Sequence, residues 1–206
     1  MTGLGVRAEL AAPGNAVVAG SLAVIDERGA PRDLKALASG APTVLLPIFT
    51  GCGGTCPTTT EALKKALREH PTRLRVIILS FDPADTSEDL RNFRSVHGLS
   101  ESWILARGAE PAATRAFLDR FGFQVMTSGK GFNHPDEAVV LSSGGAWAGS
   151  FLGGAFPPRE LDRAYEWALS ADAPTFAQRL SRPQTWIPLI LAGLIACVGG
   201  VFALGK

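Results

Sequence analysis

Two of the chain's three cysteines lie close together in the stretch FTGCGGTCPTTT, residues 49–60. Cys52 and Cys56 are separated by three residues, two of them glycine, and Pro57 follows at once. Such a pair could form a disulfide that only staples the chain, a thiol–disulfide redox pair, or a chelate for a soft metal ion. The residue types alone leave all three chemistries open.

The cysteine loop precedes TTTEALKKALREH, residues 58–70, in which leucines and alanines recur at helical spacing. Pro57 suits the first turn of a helix, so Cys56 is expected near the N-terminal cap. Unpaired N–H groups and the helix dipole favour anions there, which predicts thiolates with a lowered pKa. Gly53 and Gly54 let the backbone bend so that both sulfurs can face one point.

Strands and helices are predicted to alternate along the chain. Apolar runs typical of buried strands occur in PTVLLPIF and LRVIILSFDP, and SWILARG is a third strand candidate. A helical pattern follows each of the three. AVVAGSLAVIDERGAPRDL predicts two strands around a turn at Glu27–Gly29, while HPDEAVVLSSGGAWAGSFL and PPRELDRAYEWALS predict a late hairpin and a final helix. This order predicts an α/β sheet covered on both faces, and a cysteine loop between the first buried strand and its helix fits the thioredoxin-like fold.

The three histidines are candidates for a third metal ligand beside the cysteines. His70 and His97 each end a predicted helix, where a cationic side chain needs no metal to explain it. His134 starts a predicted strand after a glycine-bearing loop, and that strand edge can approach the cysteine loop in a thioredoxin-like fold. Since imidazole suits copper, His134 is the candidate ligand, with a plain surface histidine as the alternative. Cys197 is expected to be a small apolar filler.

The bulk composition excludes little but is informative about partners. Lys plus Arg number 20 and Asp plus Glu 19, which gives no reason to expect a nucleic acid partner.

Residues 1–15 are expected to be irregular, residues 16–170 to form the thioredoxin-like domain, and residues 171–185 to form a linker. Beyond the linker, the C-terminal residues are more apolar than the rest of the chain.

The segment from Trp186 to Leu204 contains 19 residues without a charge. A helix of that length covers roughly 28 Å, about the hydrocarbon thickness of a bilayer. Trp186 lies where an interfacial aromatic would, with Arg179 and Arg182 on one side and Lys206 on the other. Residues 186–204 are therefore predicted to be a single transmembrane anchor, a buried core helix being the alternative.

Three motifs, taken together, resemble the Sco/SenC family. IFTGCGGTCPTTTEAL is similar to that family's copper-site loop, F-T-x-C-P-D-x-C-P, and SFDPADTSEDLRNF is similar to its second signature, S-x-D-P-x-x-D-T-x-x-x-L. NHPDEAVVLSSGGAW lies where the family carries its ligand histidine. In this order the motifs span most of residues 40–168.

The resemblance implies a thioredoxin-like domain that binds copper, as Cu(I) or Cu(II), through Cys52, Cys56 and His134. It implies a membrane-anchored protein that delivers copper, or reduces thiols, during assembly of the binuclear copper centre of cytochrome c oxidase. The expected partners are the copper-bearing subunit of the oxidase or another copper chaperone. Asp82 and Asp85 match the two aspartates of the second signature, although one residue rather than two lies between Pro83 and Asp85. Both could support the metal loop from the far side of its ligands, although an Asp-Pro pair at Asp82 also suits a plain turn.

The chain departs from the family pattern at three further places. Gly53 and Gly54 replace the usual Pro-Asp between the cysteines, Pro135 follows the histidine, and the predicted anchor is C-terminal rather than N-terminal. The first residues, MTGLGVRAELAAPGNAVVAG, lack the continuous apolar region of a signal peptide. The family implies a domain in the periplasm or otherwise outside the cytoplasm, whereas the positive-inside rule applied to Arg179 and Arg182 favours the cytoplasmic side.

Three other functions remain open at this stage. A thiol–disulfide oxidoreductase would need only Cys52 and Cys56 and would leave His134 as a surface residue, but its usual spacing is C-x-x-C. A peroxiredoxin-like peroxidase would depend on Cys52 alone. A structural clip would have no chemistry and would only stabilise the fold.

Overall fold

The computed structural model describes residues 8–10, 20–129 and 131–171, with side chains from residue 20 onward. Its strands are β1 (Ala8–Leu10), β2 (Ala23–Asp26), β3 (Pro31–Asp33), β4 (Thr43–Ile48), β5 (Arg75–Ser80), β6 (Ile104–Gly108), β7 (Met126–Ser128), β8 (Gly131–Asn133), β9 (Glu137–Leu141) and β10 (Trp147–Leu152). Its helices are α1 (Leu34–Ala38), α2 (Thr55–Glu69), α3 (Ser87–His97), α4 (Pro111–Asp119) and α5 (Pro158–Ala171).

Eight of these strands form one mixed sheet in the order β1-β10-β9-β4-β5-β6-β2-β3. β4, β5 and β6 are parallel, whereas β9 runs antiparallel to β4. The carboxyl ends of β4 and β5 and the amino end of β9 therefore lie at the same edge of the sheet. This topology brings the loop after β4, the loop after β5 and the segment before β9 to one place.

The centre of the sheet is covered on both faces, as the continuous apolar runs predict. Every residue of β4 is buried, and so are five of the six residues of β5. Since successive side chains of a strand point to opposite faces, both faces must be packed. The predicted α/β sheet and thioredoxin-like fold are confirmed.

The helices that flank the central strands begin and end at the expected signals. α3 starts with a reciprocal capping box between Thr86 and Asp89 and ends at Gly98, whose left-handed backbone (φ 53°) suits glycine. α2 starts after Gly54, which provides no side-chain cap. The first N–H groups of α2 are therefore left to face the cysteine loop.

Some short elements were not predicted. Residues 1–15 were expected to be irregular, but Ala8–Leu10 forms β1, which pairs antiparallel with β10. The hairpin of β7 and β8 and the five-residue helix α1 were also missed. The three strands have three residues each, which are too few to show a hydrophobic period, and α1 spans little more than one helical turn.

The predicted C-terminal segments lie almost wholly outside the described residues. Ala171, the first residue of the predicted linker, ends α5, and residues 172–206 are not described. No helix within residues 8–10, 20–129 and 131–171 is both long and apolar enough to span a membrane. The anchor predicted at residues 186–204 falls beyond those ranges.

Asp85 joins the loop after β5 to the loop after β4. Its carboxylate accepts hydrogen bonds from the Thr50 backbone N–H at 2.8 Å and the Thr50 hydroxyl at 2.6 Å, and from the hydroxyl of Ser80. Asp85 is only 7% exposed. A buried carboxylate that satisfies several donors fixes the start of the cysteine loop against the end of β5.

We expect Asp85→Ala to lower the free energy of unfolding by about 3 kcal/mol, because the donors of Thr50 and Ser80 would be left buried without an acceptor. Urea denaturation followed by circular dichroism measures this. The matched control is Asp82→Ala, for which we expect a loss of about 1 kcal/mol or less, since Asp82 caps only its own turn. Equal losses of stability in the two variants would contradict the role of Asp85 in holding the cysteine loop against β5.

Candidate metal centre

The two cysteines differ in exposure although only three residues separate them. Cys56 lies in the first turn of α2 and is 3% exposed, whereas Cys52 lies in the preceding loop and is half-buried. Both are free thiols. The glycines between them are not required by close packing, because a Cβ at Gly53 or Gly54 would meet nothing within 4 Å.

His134 is brought to the cysteines across a long stretch of chain. Its Nε2 atom lies 3.6 Å from the Sγ atom of Cys56, 78 residues earlier. The ligand atoms of Cys52, Cys56 and His134 all lie within 4.8 Å of one another. Around one ion with bonds of about 2.0–2.3 Å, trigonal ligands lie roughly 3.5–4 Å apart, so the cluster fits a single metal ion with little movement.

The imidazole of His134 is oriented so that its Nε2 atom, rather than Nδ1, is free to bind a metal ion. Nδ1 of His134 lies 2.8 Å from the carbonyl oxygen of Pro135, which can only accept a hydrogen bond. Nδ1 therefore carries the proton in the neutral ring, and the lone pair of Nε2 faces Cys56. A backbone acceptor on the second nitrogen is the usual way in which a ligand histidine is held.

Three phenylalanines surround the ring of His134. Phe123 stacks on it with centroids 5.5 Å apart, and Phe81 and Phe49 approach edge-on at 5.2 Å and 5.9 Å. Phe49 directly follows β4 and Phe81 directly follows β5. The aromatic wall fixes the ring plane and keeps water from one side of the site.

The lowered pKa expected for a thiolate at a helix N-terminus is wrong for Cys56. Burial raises the pKa of its thiol to about 12, and a hydrogen bond from the backbone of Phe49 only partly offsets this. Desolvation of a buried thiolate outweighs the dipole of the helix here. Without a metal, Cys56 is a thiol that faces the free nitrogen of His134.

The other histidines have partners of a different kind. His70 lies 2.8 Å from a carboxylate oxygen of Asp162, and His97 lies 3.0 Å from one of Glu61. His70 is the C-terminal cap of α2 and His97 is the last residue of α3, the helix ends at which the sequence placed them. Within the described residues, only His134 joins the cysteines in such a cluster.

The two aspartates of the second signature have distinct positions. Asp85 accepts hydrogen bonds from Thr50, two residues before Cys52, and so contacts the start of the cysteine loop. Asp82 instead accepts a hydrogen bond from the backbone of Ala84 at 2.8 Å, which is the turn-forming alternative. Of the two, Asp85 is the one that contacts the cysteine loop.

An open groove of about 510 Å³ extends from Cys52 to α3. The side of the groove formed by α3 includes Phe93, Val96 and His97, and Val96 is 80% exposed. Cys52 lines this groove, whereas Cys56 does not. Reagents and partners can therefore approach the site from the side of Cys52.

Sequence reasoning did not identify the phenylalanines around His134 or the partners of Asp85. One signal was available, since Phe49 and Phe81 each follow a buried strand at the edge of the sheet where the cysteines and His134 were predicted to meet. Phe123 gave no such signal, because it follows α4 in an irregular segment.

Comparison with solved structures gives the same fold for several proteins. A protein from Aquifex aeolicus VF5, provisionally assigned to electron transfer, is 31% identical over 74% of this chain and 92% of its own, with a TM-score of 0.69. A SCO1/SenC family lipoprotein from Bacillus anthracis is 20% identical over 75% of this chain and 98% of its own, with a TM-score of 0.65. ScoI of Bradyrhizobium japonicum with copper bound is 19% identical over 74% and 100%, with a TM-score of 0.61.

Among curated protein sequences none matches the chain. The SCO1/SenC family model matches residues 11–169, which include both cysteines, His134 and all the strands and helices from β2 to β10. The match therefore covers the domain that builds the ligand cluster. On this evidence the chain belongs to the SCO1/SenC family.

Proposed function

We propose that this protein binds one copper ion through Cys52, Cys56 and His134 and passes it on during assembly of the binuclear copper centre of cytochrome c oxidase. The recipient in this proposal is the copper-bearing subunit of the oxidase or another copper chaperone. The observation that carries the proposal is the meeting of three ligand atoms within 4.8 Å. Copper bound to ScoI of Bradyrhizobium japonicum, which has the same fold, supports it.

The donor set favours a soft ion. Two thiolates and one imidazole suit Cu(I) or zinc far better than magnesium or calcium, which prefer oxygen ligands. Among the soft ions, family membership favours copper. Three protein ligands also leave the ion open to a further ligand from a partner.

The difference in exposure between the sulfurs suggests how copper leaves. Cys52 lines the open groove, whereas Cys56 is buried beneath His134. A partner thiolate entering the groove would form its bond to copper as the bond from Cys52 breaks. No electron is transferred in such an exchange, and Cys52 takes up the proton that the partner's thiol loses.

For the cellular location we propose a membrane-attached domain outside the cytoplasm. The family lipoprotein from Bacillus anthracis supports attachment to a membrane. In this chain the apolar residues 186–204 would supply the attachment. Protease accessibility in intact cells and in opened membranes would test both the attachment and the side.

We expect the purified protein to bind about one copper ion, and His134→Ala to weaken Cu(I) and Cu(II) binding by more than the roughly 10–100-fold typical of losing an outer partner of a ligand. Metal analysis gives the stoichiometry, and competition with a copper chelator gives the affinity. His70→Ala is the matched control, since His70 pairs with Asp162 instead. Copper binding that survives His134→Ala intact would remove the three-ligand site.

Copper affinity is expected to fall as the pH falls, because the ion displaces protons from its ligands. The pKa of Cys56 is raised to about 12, so its thiol is protonated throughout the neutral range and must release one proton on binding. This contributes a roughly tenfold loss of affinity for each unit of pH decrease. Chelator competition across the neutral range measures the slope, and an affinity independent of pH would contradict the coordination of Cys56.

The second candidate function is a thiol–disulfide oxidoreductase that uses the same cysteines. The observation in its favour is that both are free thiols in one loop, with Cys52 accessible. A reduction potential in the range of cellular thiol pools, together with turnover of a disulfide substrate in the absence of copper, would favour it.

In both candidate functions, Cys52 is the thiol that a partner or substrate reaches from the groove. In a Cys197→Ser background, we expect iodoacetamide to modify Cys52 much faster than Cys56, because Cys56 is buried and its pKa is raised. Mass spectrometry of peptides at successive times gives the two rates. Equal rates would show that the groove is not the approach to the site.

A further inference from the structure

A second contact joins α2 to the His134 segment, one helical turn after the cysteine. The hydroxyl of Thr59 donates a hydrogen bond to the carboxylate of Asp136 at 2.6 Å. Thr59 is 2% exposed, and Asp136 is half-buried. Neither residue belongs to the ligand cluster of Cys52, Cys56 and His134.

The contact between Cys56 and His134 and the contact between Thr59 and Asp136 lie side by side, because the spacing along both segments matches. Residues three apart on a helix, such as Cys56 and Thr59, lie on one face with Cβ atoms about 5–6 Å apart. Residues two apart in an extended segment lie on one side at roughly 6.6 Å. His134 and Asp136 therefore reach the same face of α2 together, one at Cys56 and the other at Thr59.

The segment that carries His134 needs such a contact. β8 belongs to a separate two-stranded sheet with β7, and the main sheet resumes only at Glu137 in β9. Residues 134–136 belong to neither strand. Backbone hydrogen bonding within a sheet therefore does not set the distance between residues 134–136 and α2.

The loop after β10 covers the contact from outside. The backbone N–H of Gly153 donates to the carbonyl of Asp136 at 2.8 Å. A Cβ at Gly154, where φ is +63°, would come within 2.6 Å of the Asp136 carboxylate and 2.8 Å of the Thr59 hydroxyl. Glycine at this position lets the backbone close over the hydrogen bond, which limits competition from water.

We propose that Thr59 and Asp136 are positioning residues, whose hydrogen bond holds the imidazole of His134 at the sulfur of Cys56. This inference rests on the proposed copper function only for its effect on affinity. The bond itself holds residues 134–136 against α2 whether or not a metal is bound. Loss of the bond lets the segment move away from α2, and the third ligand is then present for a smaller fraction of the time.

The test compares Thr59→Val, which keeps the shape of the side chain and removes its hydroxyl, with Thr114→Val. Thr114 is also a buried threonine in a helix, but its hydroxyl bonds to the Glu110 carbonyl within α4. We expect Thr59→Val to weaken Cu(I) binding roughly 10–100-fold, the usual effect of losing a residue that positions a ligand. Thr114→Val and Thr59→Ser, which keeps the hydroxyl, should leave the affinity close to that of the wild type.

A second readout uses the full protein without metal. Amide hydrogen exchange in residues 131–137 should be roughly tenfold faster in Thr59→Val than in the wild type or Thr114→Val, because local opening becomes easier. Asp136→Ala removes the same bond from the other side and serves if Thr59→Val does not fold. Unchanged exchange in a folded variant would overturn the inference.

A double-mutant cycle separates positioning from a general loss of stability. Once His134 is replaced by alanine, adding Thr59→Val should have no further effect on copper affinity, because there is no ring left to position. An equal loss in both backgrounds would overturn the inference while leaving the copper site intact. A wild-type protein that binds no copper would refute the proposed function, and the exchange measurement would still decide the role of Thr59.

Discussion

The arrangement of the site depends on the contact between the start of α2 and the segment before β9. This contact places Nε2 of His134 at 3.6 Å from Sγ of Cys56, although the two residues are 78 positions apart in sequence. It follows from one property of the sheet, the antiparallel pairing of β9 with β4. Because β9 starts where β4 ends, whatever precedes β9 must lie beside whatever follows β4.

The surroundings of Cys56 show which of two electrostatic effects is larger. The start of α2 carries unpaired N–H groups that favour an anion, but Cys56 is only 3% exposed, and the pKa of its thiol is raised to about 12. Burial removes the solvent that would stabilise a thiolate, and the partial charges of a helix end do not replace it. A cation beside the sulfur would reverse this balance, so the site is built to be completed by a metal ion. In the proposed function, Cys52, which lines the groove, would be the ligand that a partner replaces.

Much of this could be predicted from the sequence. The buried strands β4 and β5 lie in long apolar runs, and β6 contains the shorter run Ile104–Ala106. Helices α2 to α5 begin and end near proline, glycine or capping residues, so the existence of these elements could be predicted without a structure. The cysteine loop and the choice of His134 among the histidines also came from position relative to these elements. Asp82 and Asp85 could not be separated by sequence, because both match the motif, and only the course of the backbone after β5 decides which carboxylate reaches Thr50.

The sequence by itself determined the types of ligand, the order of the elements and the family resemblance, because these depend on local residue patterns. The tertiary structure alone decided that the sulfur of Cys56 is buried while that of Cys52 is open. It also decided that three phenylalanines enclose His134 and that Thr59 meets Asp136. The physical reason is that burial and contact distances arise from packing between segments that are far apart in the chain. No pattern within a single segment records which neighbour will cover it.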